Sequence, residues 1–123
     1  MQIKILINYL LSNQSIKMQK LTLVGNLGAD AVIRQSAGKE DFMSLKIACT
    51  ESSKDRDGNK TERTTWYDCT SKKTNLAQFL LKGHQVLIEG NPKYDIYQDR
   101  AGEPQIQISV SIRDITLLKN KKD

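Results

Sequence analysis

Few residues of this chain could do covalent or metal chemistry. Its 123 residues include two cysteines, Cys49 and Cys69, and one histidine, His84. The cysteines form no C-x-x-C pair and one histidine cannot build a metal cluster, so the sequence predicts neither a zinc site nor a cofactor. Each cysteine lies in an apolar run, which favours a buried free thiol in a reducing cytosol over a disulfide or a reactive thiol. His84 follows Gly83 in a predicted turn, where we expect an exposed side chain.

The carboxylates show no catalytic pattern either. They fall in predicted turns and hairpins, as solvated loop residues do; the set comprises Asp55, Asp57, Asp95, Asp99 and Glu103. Gly25 and Gly28 are not followed by the lysine and the serine or threonine of a phosphate-binding P-loop. A Cys69–His84 dyad would require the fold to bring two distant residues together. The sequence therefore predicts a protein that is not an enzyme.

Composition gives a weak indication of the partner. Nineteen Lys and Arg against fourteen Asp and Glu leave a formal net charge of +5, and the pI is about 9.2. A basic chain favours polyanions, nucleic acid first and an acidic membrane surface second. A length of 123 residues fits one domain with one modest core.

The first 17 residues need separate treatment, because a second methionine follows them at Met18. The apolar run 5–11 is too short to span a bilayer and precedes no small-residue cleavage site. Three interpretations stay open for residues 1–17: a leader from an upstream start codon, an added helix or strand, or a targeting signal. The predicted domain covers 18–119, and a short polar tail covers 120–123.

Strand patterns dominate the predicted domain. In 42–50, Met43, Leu45 and Ile47 alternate with polar neighbours, as in a half-buried strand. Asp57-Gly58 is typical of a hairpin turn. Five strands are predicted, at 21–24, 42–50, 64–70, 85–97 with a bend or bulge at 90–92, and 106–117 with a bulge near 113–114; a short extended piece is expected at 31–36.

One helix is predicted between the third and fourth strands, over 75–82. Leu76, Phe79 and Leu80 form an apolar stripe at helical spacing, so we expect Phe79 in the core. Gly83 suits the left-handed position that ends a helix. Five strands with one helix between the third and fourth predict an all-β protein: a five-stranded OB-fold, a Greek-key barrel with extended hairpins.

Five segments occur in an order and spacing that match a known family. They are LVGNLG at 23–28, IA and TES within 47–52, TW at 65–66, LLKG, QV and IEG within 80–90, and the block 97–102. Together they resemble the bacterial single-stranded DNA-binding proteins over about residues 19–118. The resemblance implies sequence-tolerant binding and protection of single-stranded DNA in replication, recombination or repair, in the cytoplasm and nucleoid. The alternative is an OB-fold primosomal or RNA-binding accessory protein.

Such a binder stacks bases on exposed aromatic rings and neutralises phosphates with basic side chains. By resemblance, Trp66 and Tyr97 occupy stacking positions. For Phe42, both a core position and a groove position stay open. Strand periodicity places Tyr94 on the other face of its strand from Tyr97, and Tyr67 on the other face from Trp66. The predicted basic contacts are Lys20, Arg34, Lys54, Arg56, Lys72, Lys82 and Lys93; Arg34, Lys54, Lys82 and Lys93 match basic positions of the family.

The chain also departs from the family pattern. Ser53 and Lys72 stand where aromatics are common, and Asp95 and Ile96 replace residues that are commonly basic. We therefore expect weaker or more electrostatic binding, with a steeper salt dependence.

The sequence stops at Asp123 without the acidic tail that recruits replication proteins, so we expect a truncated protein or one that protects strands without recruiting. The resemblance also implies a homotetramer, or a homodimer, with no membrane partner.

Overall fold

The computed structural model describes residues 18–38 and 40–118. The expectations for 1–17 and for the tail lie outside these residues. Within them the chain forms β1 (Leu21–Leu27), β2 (Val32–Arg34), β3 (Phe42–Lys54), β4 (Lys60–Ser71), a 3₁₀ helix (Thr74–Phe79), β5 (Gln85–Gln98) and β6 (Pro104–Leu117). Among the described residues, no helix is long and apolar enough to cross a bilayer.

The strands close into a barrel in the order β1-β5-β6-β4-β3, because β1 also pairs with β3. β1 meets β3 at Asn26↔Ala48 and Leu27↔Ile47. β2 continues along the same edge of β3, with Val32 opposite Ser44. The barrel therefore has five strand positions, which confirms the predicted five-stranded OB-fold.

Strand alternation builds the core. Met43, Leu45 and Ile47 are buried on one side of β3, as their spacing predicts. The remaining buried apolar residues come from the other barrel strands and from the end of the helical segment: Leu23, Leu27, Cys69, Leu80, Val86, Ile88 and Val110.

Both cysteines are free, Cys69 buried and Cys49 half-buried. Cys49 is opposite Thr65 and Cys69 is opposite Leu45. The two cysteines thus lie four residues apart along one strand pair, roughly 13 Å at strand spacing. A disulfide needs Cα atoms within about 7 Å, so the register excludes a bridge between them.

The predicted irregularity in the last strand is confirmed. Glu89 is opposite Asp114, while Gly90 is opposite Ile112, so Arg113 is an extra residue on β6. The bend or bulge predicted at 90–92 coincides with this register shift, and β5 runs on without a break to Gln98. At the bulge the two backbones approach so closely that a Cβ on Gly90 would overlap the Ser111 carbonyl oxygen.

The prediction for the helical segment is partly wrong. The segment is a 3₁₀ helix that ends at Phe79, and Phe79 is 51% exposed instead of buried. Leu80 follows with φ −101° and ψ 82° and is buried. Because the chain leaves the helical conformation at Leu80, Phe79 and Leu80 no longer share the apolar stripe that a continuing α-helix would give, and only Leu80 is buried in the core. Gly83 has the predicted positive φ, +90°, but it does not end the helix: it lies in a separate turn, in which the His84 amide donates to the Leu81 carbonyl oxygen at 3.1 Å.

Replacing Gly90 with alanine should destabilise the barrel by about 1–3 kcal/mol, because a Cβ there meets backbone that cannot move without widening the β5–β6 ladder. Thermal unfolding followed by circular dichroism measures the change. Gly58→Asn is the control: Gly58 has φ +82° and nothing near its Cβ position, and asparagine tolerates that conformation. Equal melting temperatures for Gly90→Ala and the wild type would contradict the close approach.

Candidate nucleic-acid interface

One side of the β3–β4–β6–β5 sheet, pointing away from the core, contains Trp66. Trp66 lies opposite Ala48 on β3, and Asp68, two residues on, lies beside Ser109 on β6. Ser109 in turn pairs with Lys93 on β5. Side chains of paired residues point to the same side of a sheet, and residues two apart share a side. Trp66, Asp68 and Lys93 therefore lie on one face, called here the outer face.

Tyr97 belongs to the same outer face. It lies four residues beyond Lys93 on β5 and opposite Gln105 on β6, an even spacing that preserves the side. Trp66 is 57% exposed and Tyr97 51% exposed. The fold thus brings both predicted stacking residues and one predicted basic residue to a single solvent-facing surface.

Tyr67 and Tyr94 lie on the opposite side of these strands, as strand periodicity predicts. Tyr67 is beside Ile108, and Ile108 is opposite Tyr94. Tyr67 is half-buried and packs against the core. Its pKa is raised by burial first, and then by the neighbouring Cys49 and Tyr94.

The Trp66 ring rests over Gly28, the residue directly after β1. A Cβ on Gly28 would lie 2.5 Å from the ring, and the Gly28 amide donates to the Lys46 carbonyl oxygen at 2.9 Å. The backbone of residue 28 is thereby held against β3, and the edge of the Trp66 indole ring lies against it. The side chain is nevertheless 57% exposed, so much of the ring is accessible for stacking with a base.

The outer face also contains polar contacts that the sequence reasoning missed. Lys46 lies 3.4 Å from the Asp68 carboxylate, and Gln107 donates to the same carboxylate at 2.9 Å. These contacts neutralise a negative charge two residues from Trp66. The sequence indicates that Asp68 shares a face with Trp66, and that Lys46 shares a face with Ala48, because each pair is two residues apart. Only the strand register shows that Lys46 and Asp68 are opposite each other.

Each long hairpin ends in the same kind of turn. Asp55 accepts hydrogen bonds from the amides of Asp57 and Asn59 at 2.9 and 2.8 Å. Asp99 accepts from Ala101 and Glu103 at 2.9 Å each. The amide of Glu103 contributes most to lowering the pKa of the Asp99 carboxyl. These two carboxylates thus act as acceptors that shape the hairpin tips.

Two of the predicted basic residues lie at the first hairpin tip. Lys54 ends β3 and is opposite Lys60, whose ammonium lies 3.4 Å from Glu62. Arg56 lies in the turn between β3 and β4 and is exposed. Both are therefore at one end of the outer face.

The other predicted basic residues lie around the barrel. Arg34, on β2, is opposite Phe42 on β3. Lys72 is exposed just after β4. Lys82 precedes β5, where its backbone amide donates to Asp30 at 2.8 Å. Lys20 forms an ion pair with Glu89 at 2.9 Å, so part of its charge is already balanced.

The Cys69 thiol and the His84 imidazole, considered above for covalent chemistry, take part in the packing and hydrogen bonding of the fold. Burial, followed by the nearby Asp68 charge, raises the pKa of Cys69 to about 12, so the thiol is protonated near neutral pH and is a poor nucleophile. Because this pKa lies above the ordinary 9.0, the thiol's contribution to stability is lost as pH rises through that interval. His84 is half-buried, not exposed as predicted, and its Nδ1 lies 3.0 Å from the Phe79 carbonyl oxygen.

The described residues include no group of three or more His, Cys, Asp or Glu side chains placed to hold a metal ion. The carboxylates at 55 and 99 are occupied by turn amides, and Asp68 is bonded to Lys46 and Gln107. The arrangement on the outer face is suited to non-covalent binding by flat rings and basic side chains.

Two solved structures share this fold. A Plasmodium falciparum SSB, solved in complex with single-stranded DNA, superposes with a TM-score of 0.67 at 19% identity, covering 86% of this chain and 99% of that one. A small single-stranded DNA-binding protein of Streptomyces coelicolor gives 0.66 at 21% identity, covering 83% and 95%. At these identities the likeness defines the class of fold, the closed OB barrel.

The sequence comparisons are more specific. The model of the single-strand binding protein family matches residues 18–118. A single-stranded DNA-binding protein of Xylella fastidiosa strain Temecula1 is 32% identical over 109 residues, covering 86% of this chain and 66% of the relative. Single-stranded DNA-binding protein 1 of strain 9a5c is 30% identical over 110 residues, covering 86% and 81%. The chain belongs to the single-strand binding protein family.

Replacing Gly28 with alanine should move the Trp66 ring while leaving the barrel folded, because the ring can swing away from the new methyl group. We expect a shifted Trp66 emission maximum and altered quenching by acrylamide. Trp66 is the only tryptophan, so the emission reports this position alone. Ala29→Ser, at the exposed next residue, is the control and should leave the spectrum unchanged; an unchanged spectrum in Gly28→Ala would contradict the contact.

Proposed function

We propose that this protein binds and protects single-stranded DNA without reading its sequence, during replication, recombination or repair, and that it catalyses no reaction. The observation that supports this most directly is the shared outer face of Trp66, Lys93 and Tyr97. Membership of the family and the names of the relatives support the same partner. The proposed location follows from the partner: the cytoplasm, at the nucleoid.

The exposed rings supply the sequence-independent part of binding. Every base has a flat π-face, and a stacked base contributes roughly 1–3 kcal/mol. The edge of the Trp66 ring lies against Gly28 and the side chain is largely exposed, so little ordering is required when a base arrives. Tyr97 offers a second ring on the same face, which lets one strand contact both.

Basic side chains supply the salt-dependent part. Lys93 lies on the outer face at the level of Asp68, two residues along the sheet from the level of Trp66, while Lys54 and Arg56 lie at the first hairpin tip. Each phosphate neutralised by such a residue releases condensed counterions. Since aromatics make up only 6% of the chain, we infer that these charges provide a large share of the affinity.

Assembly into a homotetramer, or a homodimer, is part of the proposal. Val24 on β1 is opposite Leu87 on β5, on the side pointing away from the core. Val24 is 45% exposed, so this pair offers an apolar surface to another copy of the chain. Light scattering coupled to size exclusion gives the mass of the assembly.

Trp66→Ala and Tyr97→Ala should each weaken binding to oligo(dT) by about 1–3 kcal/mol, because each removes one stacking ring. Fluorescence anisotropy of a labelled oligonucleotide measures the affinity without relying on tryptophan. Phe79→Ala is the matched control, since Phe79 is an exposed ring on the helical segment, away from the outer face.

Two results would contradict this proposal. The first is wild-type affinity in both Trp66→Ala and Tyr97→Ala. The second is equal binding of duplex and single-stranded DNA, which would show that base faces are not contacted. Stronger binding to an RNA strand of the same sequence would favour the RNA-binding accessory protein instead.

Raising the salt concentration should weaken binding steeply. For single strands, the logarithm of the affinity falls with the logarithm of salt concentration by roughly 0.7 per neutralised phosphate. The affinity for oligo(dT) at low and moderate salt gives this slope, and Lys93→Ala should make it shallower. An affinity that barely changes with salt would refute the electrostatic share assigned above.

A further inference from the structure

A cleft of about 770 Å³ opens at one end of the outer face. Phe42, Lys72 and Lys73 contribute to its wall, together with Ser36, Glu40 and Ser111. Both hairpin tips lie at the opposite end of the sheet, because β4 and β6 run parallel and begin at those tips. The cleft is therefore distinct from the Trp66–Tyr97 region, although it lies beside the same strands.

Phe42 belongs to the outer face by register. It lies on β3 six residues before Ala48, which is opposite Trp66, and an even spacing preserves the side. Six residues of strand separate the two positions by roughly 20 Å. The side chain is half-buried, so neighbouring residues hold the ring while part of it lines the cleft.

The lysines beside the ring are held by short turns of backbone. The Lys73 amide donates to the Ser71 hydroxyl at 3.1 Å, and the Thr74 amide donates to the Lys72 carbonyl at 2.9 Å. Both lysines are exposed. Two lysines against the single carboxylate of Glu40 leave the cleft with a net positive charge.

We infer that this cleft binds one further nucleotide of the single strand, with the base against Phe42 and a backbone phosphate at Lys72 and Lys73. The inference rests on the proposed function and extends its site. A ring, two cations and the hydroxyls of Ser36 and Ser111 match the parts of a nucleotide: a base face, a phosphate and polar base edges. Continuity with the outer face gives a single strand a route from Trp66 to the cleft.

Phe42→Leu tests the inference, because leucine retains an apolar side chain but cannot stack. With an oligo(dT) long enough to reach from Trp66 to the cleft, we expect affinity to fall by about 5- to 150-fold. With an oligonucleotide too short to reach both, Phe42→Leu and the wild type should bind equally. Phe42→Tyr keeps a ring and should bind the long strand as the wild type does, and Phe79→Leu is the control for losing an exposed phenylalanine.

The double variant Lys72→Ser, Lys73→Ser probes the phosphate independently of the core. Both side chains are exposed, so the melting temperature should stay unchanged while the salt slope for the long strand becomes shallower. An unchanged slope, or a Phe42→Leu variant that binds the long strand normally, would overturn the inference. So would equal weakening on short and long strands, which would indicate general damage to the fold.

The two proposals fail in different ways. If Trp66→Ala weakens binding while Phe42→Leu does not, single-strand binding stands and the additional nucleotide site is wrong. If neither variant affects binding, the proposed function itself is wrong.

Discussion

The barrel closes where β1 crosses β3, and the two strands can approach so closely there because Gly25 has no side chain. A Cβ on Gly25 would lie 2.6 Å from the Ala48 carbonyl oxygen and 2.7 Å from the Ile47 side chain. Only two residue pairs join β1 to β3, so there is little ladder to compensate for a wider gap. Three residues further on, Gly28 lets the Trp66 ring lie against the same crossing. The closure of the fold and the position of the Trp66 ring therefore depend on the same part of β1 and the residue that follows it.

The two sides of the β3–β4 ladder consequently have different roles. Met43, Leu45 and Ile47 face inward and are fully buried, which fixes the strand and its register. The alternate residues face outward and are free to vary in chemistry, and there Lys46 balances Asp68 next to Trp66. The buried inner side chains fix the positions of the strands. The exposed aromatic and charged side chains of the outer face, which could not fix the strands by themselves, are thereby held in a defined arrangement.

Local patterns predicted most of the fold. Alternation in 42–50 and 108–112 is strong because one face is buried or half-buried, and the slip near Arg113 was visible as a change of phase. The helical segment was predicted less well, because a stripe of Leu76, Phe79 and Leu80 does not reveal whether the helix continues for another turn. The candidate site depended on both kinds of information: resemblance indicated Trp66 and Tyr97, but only the register across three strands relates Lys93 to Asp68.

The position of β6 has a consequence for how the protein is made. Tyr67 on β4 pairs with Ile108 on β6, a contact between segments 41 residues apart, and β6 separates β4 from β5 in the sheet. On the ribosome, the hairpin that contains Trp66 emerges first and the strand that contains Tyr97 follows, and until β6 emerges only β1 can join them, by pairing with β3 and with β5. Non-local pairings of this kind form late. A nascent chain that lacks β6 thus has both rings but no strand between β4 and β5, and completion of the last strand closes the barrel and makes its outer face continuous in the same step.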